Sequence, residues 1–354
     1  MQKIRVLHIS TAKTWRGGET QIQLLMNGLK ELGVEQVLFC AAGSEIGRRL
    51  KRDYSVVQEV KAGSIPIAYI KRLKQEILSY KPSIIHVHDS HGHTGAVLAH
   101  KWCNSEIPIV VHRRVDFNIK KGWLSGKKYS YKGVKGYIAV SKFIENLIAP
   151  DLPGKMLTTI YSSAVVEEPP AVGKLRKELN LPPTVKLIGN ISAIAEHKDI
   201  PTFVKIAREL LLKRSDLHFV WIGDGPCRLQ LEQLIKDMES NFTLLGFRAD
   251  ADELLFDLDV FLMTSKTEGL GTTVIKAMQA GIPVVSTNAG GLRELIISNE
   301  TGISAEVGDV QSLIRGVETV LQEDSFSQEA SLRAKQLSPK LMTKATVQFY
   351  QSLI

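Results

Sequence analysis

Apolar and polar positions along this chain fall into two recurring patterns: short β-branched runs, and longer stretches with apolar residues three and four apart. The short runs lie at residues 4–9, 34–40, 83–87, 109–111, 136–140 and 156–161, then at 185–191, 218–222, 242–245, 260–263 and after Pro283. These predict strands. Helical spacing predicts helices over residues 21–32, 45–54, 68–80 and 141–149 in the first half, and over 200–213, 227–239, 251–258, 274–280 and 292–298 in the second. Strand, glycine-bearing loop, helix and strand in that order make a βαβ unit, which implies a parallel sheet. The alternation breaks at residues 162–173, where Pro169 and Pro170 mark a connection. A chain of 354 residues exceeds a typical single core, so two α/β domains are expected.

The polar residues that follow each strand would collect at one sheet edge, where open α/β sheets bind ligands. The stretch 267–287, T-E-G-L-G-T-T-V-I-K-A-M-Q-A-G-I-P-V-V-S-T, carries the most chemistry. A glycine turn opening a helix offers unpaired N–H groups and the positive end of the helix dipole to a phosphate. Glu268 beside it would repel a phosphate and suits hydroxyls or developing positive charge on the same ligand, which suggests a sugar diphosphate. An ordinary capped connection is the competing reading. Gly17 and Gly18 allow close backbone approach after the first strand, but the loop lacks G-x-G-x-x-G, so a dinucleotide is not indicated.

The segment H-V-H-D-S-H-G-H puts His86 and His88 on one strand face, with Asp89, His91 and His93 in a loop beyond. A zinc site would need a fuller ligand set than the chain supplies. His88 reads as a binding-site histidine, His86 and His100 as structural ones. In H-R-R-V-D-F, Arg113, Arg114 and Asp116 could grip a phosphate or a sugar, or form an internal salt-bridge cluster.

Composition sharpens this in two ways. The chain is 44% hydrophobic and 23% charged with no run long enough to span a membrane, and its three cysteines are widely separated, as in a globular protein with reduced thiols. No targeting segment precedes the first strand, so a cytoplasmic protein is expected. The net charge of +8 is uneven: residues 1–165 hold 25 Lys and Arg against 12 Asp and Glu, and the remainder is acidic. Lysines at 120, 121, 127, 128, 132 and 135, interleaved with Trp123, Tyr129 and Tyr131, suit an anionic inner-membrane surface or are a solvated loop. No nucleic-acid motif accompanies them.

The strings G-G-E (17–19), H-x-H (86–88), E-H-K (196–198), G-D-G-P (223–226), G-F-R (246–248), E-G-L-G (268–271), A-G-I-P-V-V (280–285) and G-G-L-R-E (290–294), in this order, resemble glycosyltransferase family 4. W-R-G-G-E and H-R-R-V-D-F are similar to a subgroup of bacterial enzymes of surface-polysaccharide or lipopolysaccharide assembly. The resemblance implies an α/β GT-B fold: two Rossmann-like domains facing across a cleft. Residues 1–165 would bind the acceptor, residues 166–338 the nucleotide sugar, and a helix at 339–354 would return to the first domain.

It further implies retaining transfer of a sugar from a nucleoside-diphosphate sugar to a glycan or lipid-linked acceptor, with no cofactor or metal. By motif, Lys198, Glu268 and His88 would be catalytic. Gly17, Gly18, Asn190, Gly223, Phe247, Arg248, Leu270, Gly271, Thr272, Thr273 and Lys276 would meet the donor. Glu19, His91, Arg113, Arg114 and Asp116 would meet the acceptor. Two positions depart from the family pattern. Lys276 stands where a second glutamate is usual, and Ala193 where an arginine is common; Lys276 could replace that arginine at the diphosphate or be a surface substitution. A nucleotide-sugar epimerase and an inactive binding subunit are the alternative functions.

Overall fold

The computed structural model describes residues 3–58, 67–119, 123–169, 171–322 and 326–354. Lys120 and Lys121 of the basic stretch, and Pro170 of the expected connection, lie outside them. The chain divides into two compact units, Met1–Ser163 with Pro339–Ile354, and Ala164–Ser338.

The first unit holds β1 (Arg5–Ser10), β2 (Glu35–Cys40), β3 (Ser55–Gln58), β4 (Ile84–Val87), β5 (Ile109–Arg113), β6 (Val134–Ala139) and β7 (Met156–Thr159). They pair in the order β3-β2-β1-β4-β5-β6-β7, all parallel. The second unit holds β8 (Lys186–Ile191), β9 (Leu217–Ile222), β10 (Phe242–Gly246), β11 (Val260–Met263), β12 (Val284–Thr287) and β13 (Ile303–Ala305), in the order β10-β9-β8-β11-β12-β13, again all parallel. Parallel neighbours require crossovers that cover the faces, so strands read as unbroken apolar runs. Every residue of β4 and β9 is buried accordingly. β3 and β13 escape the hydrophobic pattern because they are edge strands of four and three residues. The helix expected over 45–54 stops at Leu50 (Glu45–Leu50) so that the chain can enter β3.

Capping sets two helix starts that apolar spacing misplaces. His91 and His93, expected in a loop, belong to the helix Ser90–Trp102. Asp89 is its N-cap and accepts the Gly92 N–H at 2.8 Å, satisfying a donor that has no partner within the helix. The helix expected from residue 21 begins at Gly17 (Gly17–Glu31), where the Glu19 carboxylate accepts the Arg16 N–H at 2.9 Å.

Each unit has its own apolar core. In the second, the helix Ile200–Leu211 lays Ile200, Phe203, Val204, Ala207 and Leu210 against Phe219 and Trp221 of β9, the three-and-four spacing of an amphipathic helix. In the first, Met342, Phe349 and Tyr350 of the helix Pro339–Gln351 join Ile4, Leu25, Ile84, Val110 and Ile138. That helix packs against Gly17–Glu31 at Gly28, where an added Cβ would fall 2.2 Å from Thr343 Oγ1 and 3.0 Å from its Cβ.

The first sheet also buries three histidines, His8 on β1, His86 on β4 and His112 on β5. The His86 and His112 rings stack 5.4 Å apart at 7°. Tyr350 Oη and His86 Nδ1 are 2.6 Å apart, which ties the terminal helix to this layer. Burial holds all three neutral: it draws His8 down to about 4, and His86 and His112 well below the usual histidine range, with Arg114 adding repulsion.

Gly28→Val should force the terminal helix off its seat at a cost of about 1–3 kcal/mol; faster amide exchange over residues 339–351 than in the wild type is the expected readout. The histidines titrate near 6.5 when unfolded but far lower when folded. Their contribution is therefore complete above that pH and declines as pH falls, by about 1.4 kcal/mol per pH unit for each. Thermal melts should show the first unit losing stability steadily below pH 6.5; a flat profile down to about pH 5 would contradict this.

Candidate active site

Strand order in the second sheet reverses between β8 and β11. Connections leave those strands toward opposite faces, and ligands of open α/β sheets bind where this opens a crevice. The chain after β8 forms the turn Glu196–Lys198, and the chain after β11 runs into residues 264–271. These two segments are stitched together: the Lys266 N–H donates to His197 O at 2.8 Å, and Thr264 Oγ1 donates to Lys198 O at 2.9 Å. Their side chains meet as an ion pair, Lys198 Nζ to Glu268 Oε2, at 2.6 Å, with 10% and 18% of the side chains exposed. Ser265 Oγ lies 3.4 Å from the same oxygen.

Beside this pair, Gly271 at φ +91° opens the helix Thr272–Gln279. Its first-turn N–H groups, those of Thr272 and Thr273 among them, have no partner four residues back. Leu270 anchors the turn by burying its side chain. From the other side the turn is pressed by Gly290 and Gly291. A Cβ there would sit 2.1 Å from Glu268 O and 2.3 Å from Gly269 O, and the Gly291 N–H donates to Glu268 O at 2.9 Å. Gly223, at φ +146°, packs equally tightly: its Cβ would meet Ser192 O at 2.0 Å, so the ends of β8 and β9 are backbone against backbone.

Three expected donor residues are placed differently. Asn190 is fully buried, donates to Leu262 O at 2.7 Å and accepts from Ser192 Oγ at 2.6 Å, so it bridges β8 and β11. Lys276 is not turned to the glycine turn; its ammonium holds both oxygens of Asp252 at 2.7 and 2.5 Å. Arg248 is gripped in two-point fashion by Asp250, at 2.8 Å for each contact, and by Glu178 at 2.6 Å, while neighbouring Phe247 is largely exposed.

The first sheet reverses between β1 and β4. Gly17 and Gly18 open the helix after β1, and an added Cβ at Gly18 would touch Arg114 Cδ at 3.9 Å. Glu19 does not reach outward: its carboxylate is buried and spent on the helix start, and burial raises its pKa. His91 is exposed in the first turn of its helix.

His88 sits in a run of hydrogen bonds. The Gln36 amide donates to Met26 O at 3.0 Å, so its Oε1 accepts from His8 Nε2 at 3.1 Å. His8 Nδ1 then accepts from His88 Nε2 at 3.0 Å, and His88 Nδ1 accepts from Arg114 at 3.2 Å. Both ring nitrogens of His88 are engaged within this run, and the residue is buried. One nitrogen from each of His8, His86 and His88 lies within 4.8 Å of the others, as in a metal site. With five of the six nitrogens hydrogen-bonded and a guanidinium in contact, these donors form an internal network and suit a cation poorly.

Arg113 and Arg114 reach a cavity of about 400 Å³ at the carboxyl ends of β4 and β5. Among the described residues they donate to Phe117 O, Tyr129 Oη, His88 and His112, not to Asp116, so the internal salt-bridge cluster is not formed. Asp116 is half-buried and attracts Arg113 at longer range. His8, Gln36, His112 and Asp252 carry no expectation from the sequence, His93 is expected there only in a loop, and Lys128 only in the basic stretch. Histidines inside β-branched strands were the available signal for two of them.

Residues 15–162 match the family model described as Glycosyltransferase Family 4, and residues 172–337 match that described as Glycosyl transferases group 1. Over 179 residues the chain is 33% identical to the 2-deoxystreptamine N-acetyl-D-glucosaminyltransferase of Niallia circulans, covering 49% of this chain and 44% of that one. Over 184 residues it is 25% identical to the lipopolysaccharide core biosynthesis glycosyltransferase LpsE of Rhizobium meliloti, covering 50% and 53%. The chain thus spans about half the length of these curated relatives. HepE of Anabaena, solved in complex with UDP, superposes with a TM-score of 0.85 at 18% identity, covering 99% of this chain and 100% of that one; at that identity the likeness shows the fold. With one model over each unit and this shared architecture, the chain belongs to the family 4, group 1 glycosyltransferases and has their GT-B fold.

Proposed function

We propose that this protein is a retaining, metal-independent glycosyltransferase. It moves a sugar from a nucleoside-diphosphate sugar to a glycan or lipid-linked acceptor in bacterial surface-polysaccharide or lipopolysaccharide assembly. The observation that carries this reading is the 2.6 Å pair of Lys198 and Glu268 beside the Gly271 helix start. Breaking the bond between sugar and diphosphate leaves negative charge on the phosphate oxygens and positive charge on the sugar ring. The Lys198 ammonium and the first-turn N–H groups of Thr272 and Thr273 stabilise the first, and the Glu268 carboxylate accepts the sugar hydroxyls and offsets the second. Such groups act strongly because their positions are set before the reaction. Glu268 and Lys198 orient each other, and glycine backbone contacts lock the turn between them.

Relatives support the nucleotide and the pathway: HepE was solved with UDP and with UDP-glucose, and LpsE is named for lipopolysaccharide core biosynthesis. The acceptor is assigned to the first unit, whose basic surface suits an anionic partner at the inner membrane surface. No helix among the described residues is long and apolar enough to cross a membrane, so association there would be peripheral to a cytoplasmic protein.

A thermal-shift panel of UDP, GDP, ADP and CMP tests the reading. A nucleotide at about a hundred times its Kd should add about 2.7 kcal/mol of stability, and no shift with any nucleotide or nucleotide sugar would sink it. Lys198→Ala should lower kcat about 10²- to 10³-fold, the loss expected for one transition-state charge contact. Lys276→Ala removes a partly exposed pair with Asp252 worth about 0.2–1 kcal/mol. It should therefore leave nucleotide affinity within about threefold by calorimetry; a much larger loss would return Lys276 to the diphosphate.

A further inference from the structure

The cavity at the ends of β4 and β5 is lined by His93, Arg113, Arg114, Lys128, Tyr129 and Asp89, with apolar walls. Three of these are cations. The one carboxylate is already used: Asp89 accepts from the Thr11 N–H and hydroxyl at 2.5 and 2.6 Å and from the Gly92 N–H. Asp89 attracts Arg114 and Lys128 but is one carboxylate against three cations, so the described lining residues leave net positive charge.

Hydrogen bonding shows the same deficit. His93 is 1% exposed, and its ring nitrogens have no well-formed hydrogen bond, only a loose approach to the Lys128 backbone. Arg113 is 7% exposed, and its Nε, like that of Arg114, is also without a hydrogen bond. A buried donor left unmatched costs about 1–3 kcal/mol, and three residues share this condition around one space. What they lack in common is acceptor oxygen. Their environment is strained in the matching sense. Burial and the Arg113 charge push the Lys128 pKa down, burial draws Arg114 to about 10, and burial with Lys128 and Arg113 draws His93 to about 3.

The fixed parts of the site are already held. Lys128 Nζ spans Ser90 O, Ser90 Oγ and Thr94 Oγ1 at 3.0, 2.8 and 3.3 Å, which pins it to the start of the helix Ser90–Trp102. Arg113 lies over the Phe117 ring at 4.9 Å and is tied to Phe117 O and Tyr129 Oη. A neutral sugar brings as many donors as acceptors and no charge. A phosphate monoester brings acceptors and about two negative charges, and a guanidinium fork matches its geometry.

We infer that this cavity is a phosphate-binding subsite of the first unit, so that the acceptor is a phosphate-bearing molecule held by Arg113, Arg114 and His93, with the Lys128 ammonium, its three donors already engaged, adding charge beside them. The inference rests on the transferase reading for the word acceptor, but the site itself stands on the first unit alone. Neutral His93 donates one N–H to the phosphate, and the charge is balanced by the arginines and the lysine.

The test uses the full chain saturated with the nucleotide that the thermal-shift panel identifies, so that the donor phosphate site is filled and does not take up the probe. Calorimetric titration with glycerol 3-phosphate against glycerol, and flotation with phosphatidic acid against phosphatidylcholine vesicles, separate a soluble phosphate from a lipid headgroup. Binding in either arm that requires the phosphate supports the subsite, and the arm that binds identifies the source. Arg113→Gln should weaken that binding about tenfold to a hundredfold, with the melt and nucleotide affinity of the wild type. If Arg113→Gln does not fold, Lys128→Gln set against Lys128→Arg provides the same contrast. Failure of the wild type to bind either phosphate probe, or equal binding by the charge-removed variants, would overturn the inference. If no nucleotide of the panel binds, the transferase reading has failed, and the titration without nucleotide still decides the cavity.

Discussion

Parallel pairing is the constraint from which most of this molecule follows. A parallel strand cannot be joined to its neighbour by a tight turn, so each connection crosses a face and every strand delivers its next residue to the same sheet edge. Chemistry then accumulates at one edge without any long-range plan in the sequence. Where strand order reverses, β1 against β4 and β8 against β11, the flanking loops diverge and leave room for a ligand. Lys198 and Glu268, seventy residues apart in the chain, meet because their strands are adjacent at such a point.

Much of this architecture is legible in the sequence, because strands buried on both faces leave apolar runs with polar residues just beyond them. The α/β class, the parallel sheets and the Lys198 and Glu268 segments are all readable in that way. What is not legible falls into two physical kinds. Edge strands such as β3 and β13 are too short to show a period. Side-chain commitments are set by neighbours distant in sequence: Asn190 is consumed by Leu262 O, Lys276 by Asp252, and His88 by His8 and Arg114. Residue type and motif position place a side chain at an edge, but not the partner it has already taken.

The two units also differ in how they hold their sites. In the second, precision is a backbone property, with Gly223, Gly290 and Gly291 in contacts that admit no side chain. In the first, it is a property of polar side chains packed in the sheet itself, a costlier choice because each buried donor needs a partner. That choice leaves neutral histidines buried in the first sheet and cations around its cavity.

The hydrogen bonds from Arg114 through His88, His8 and Gln36 to Met26 O all point the same way. Each ring must be in one tautomer for the next bond to form, so the proton positions of the whole run are a single shared choice. Substitutions along it will not add. Losing one member removes the reason for its neighbour's orientation, and a second change can cost little or even restore fit. Drift at these positions is therefore coupled, and the first unit would diversify by exchanging the run as a group, not one residue at a time.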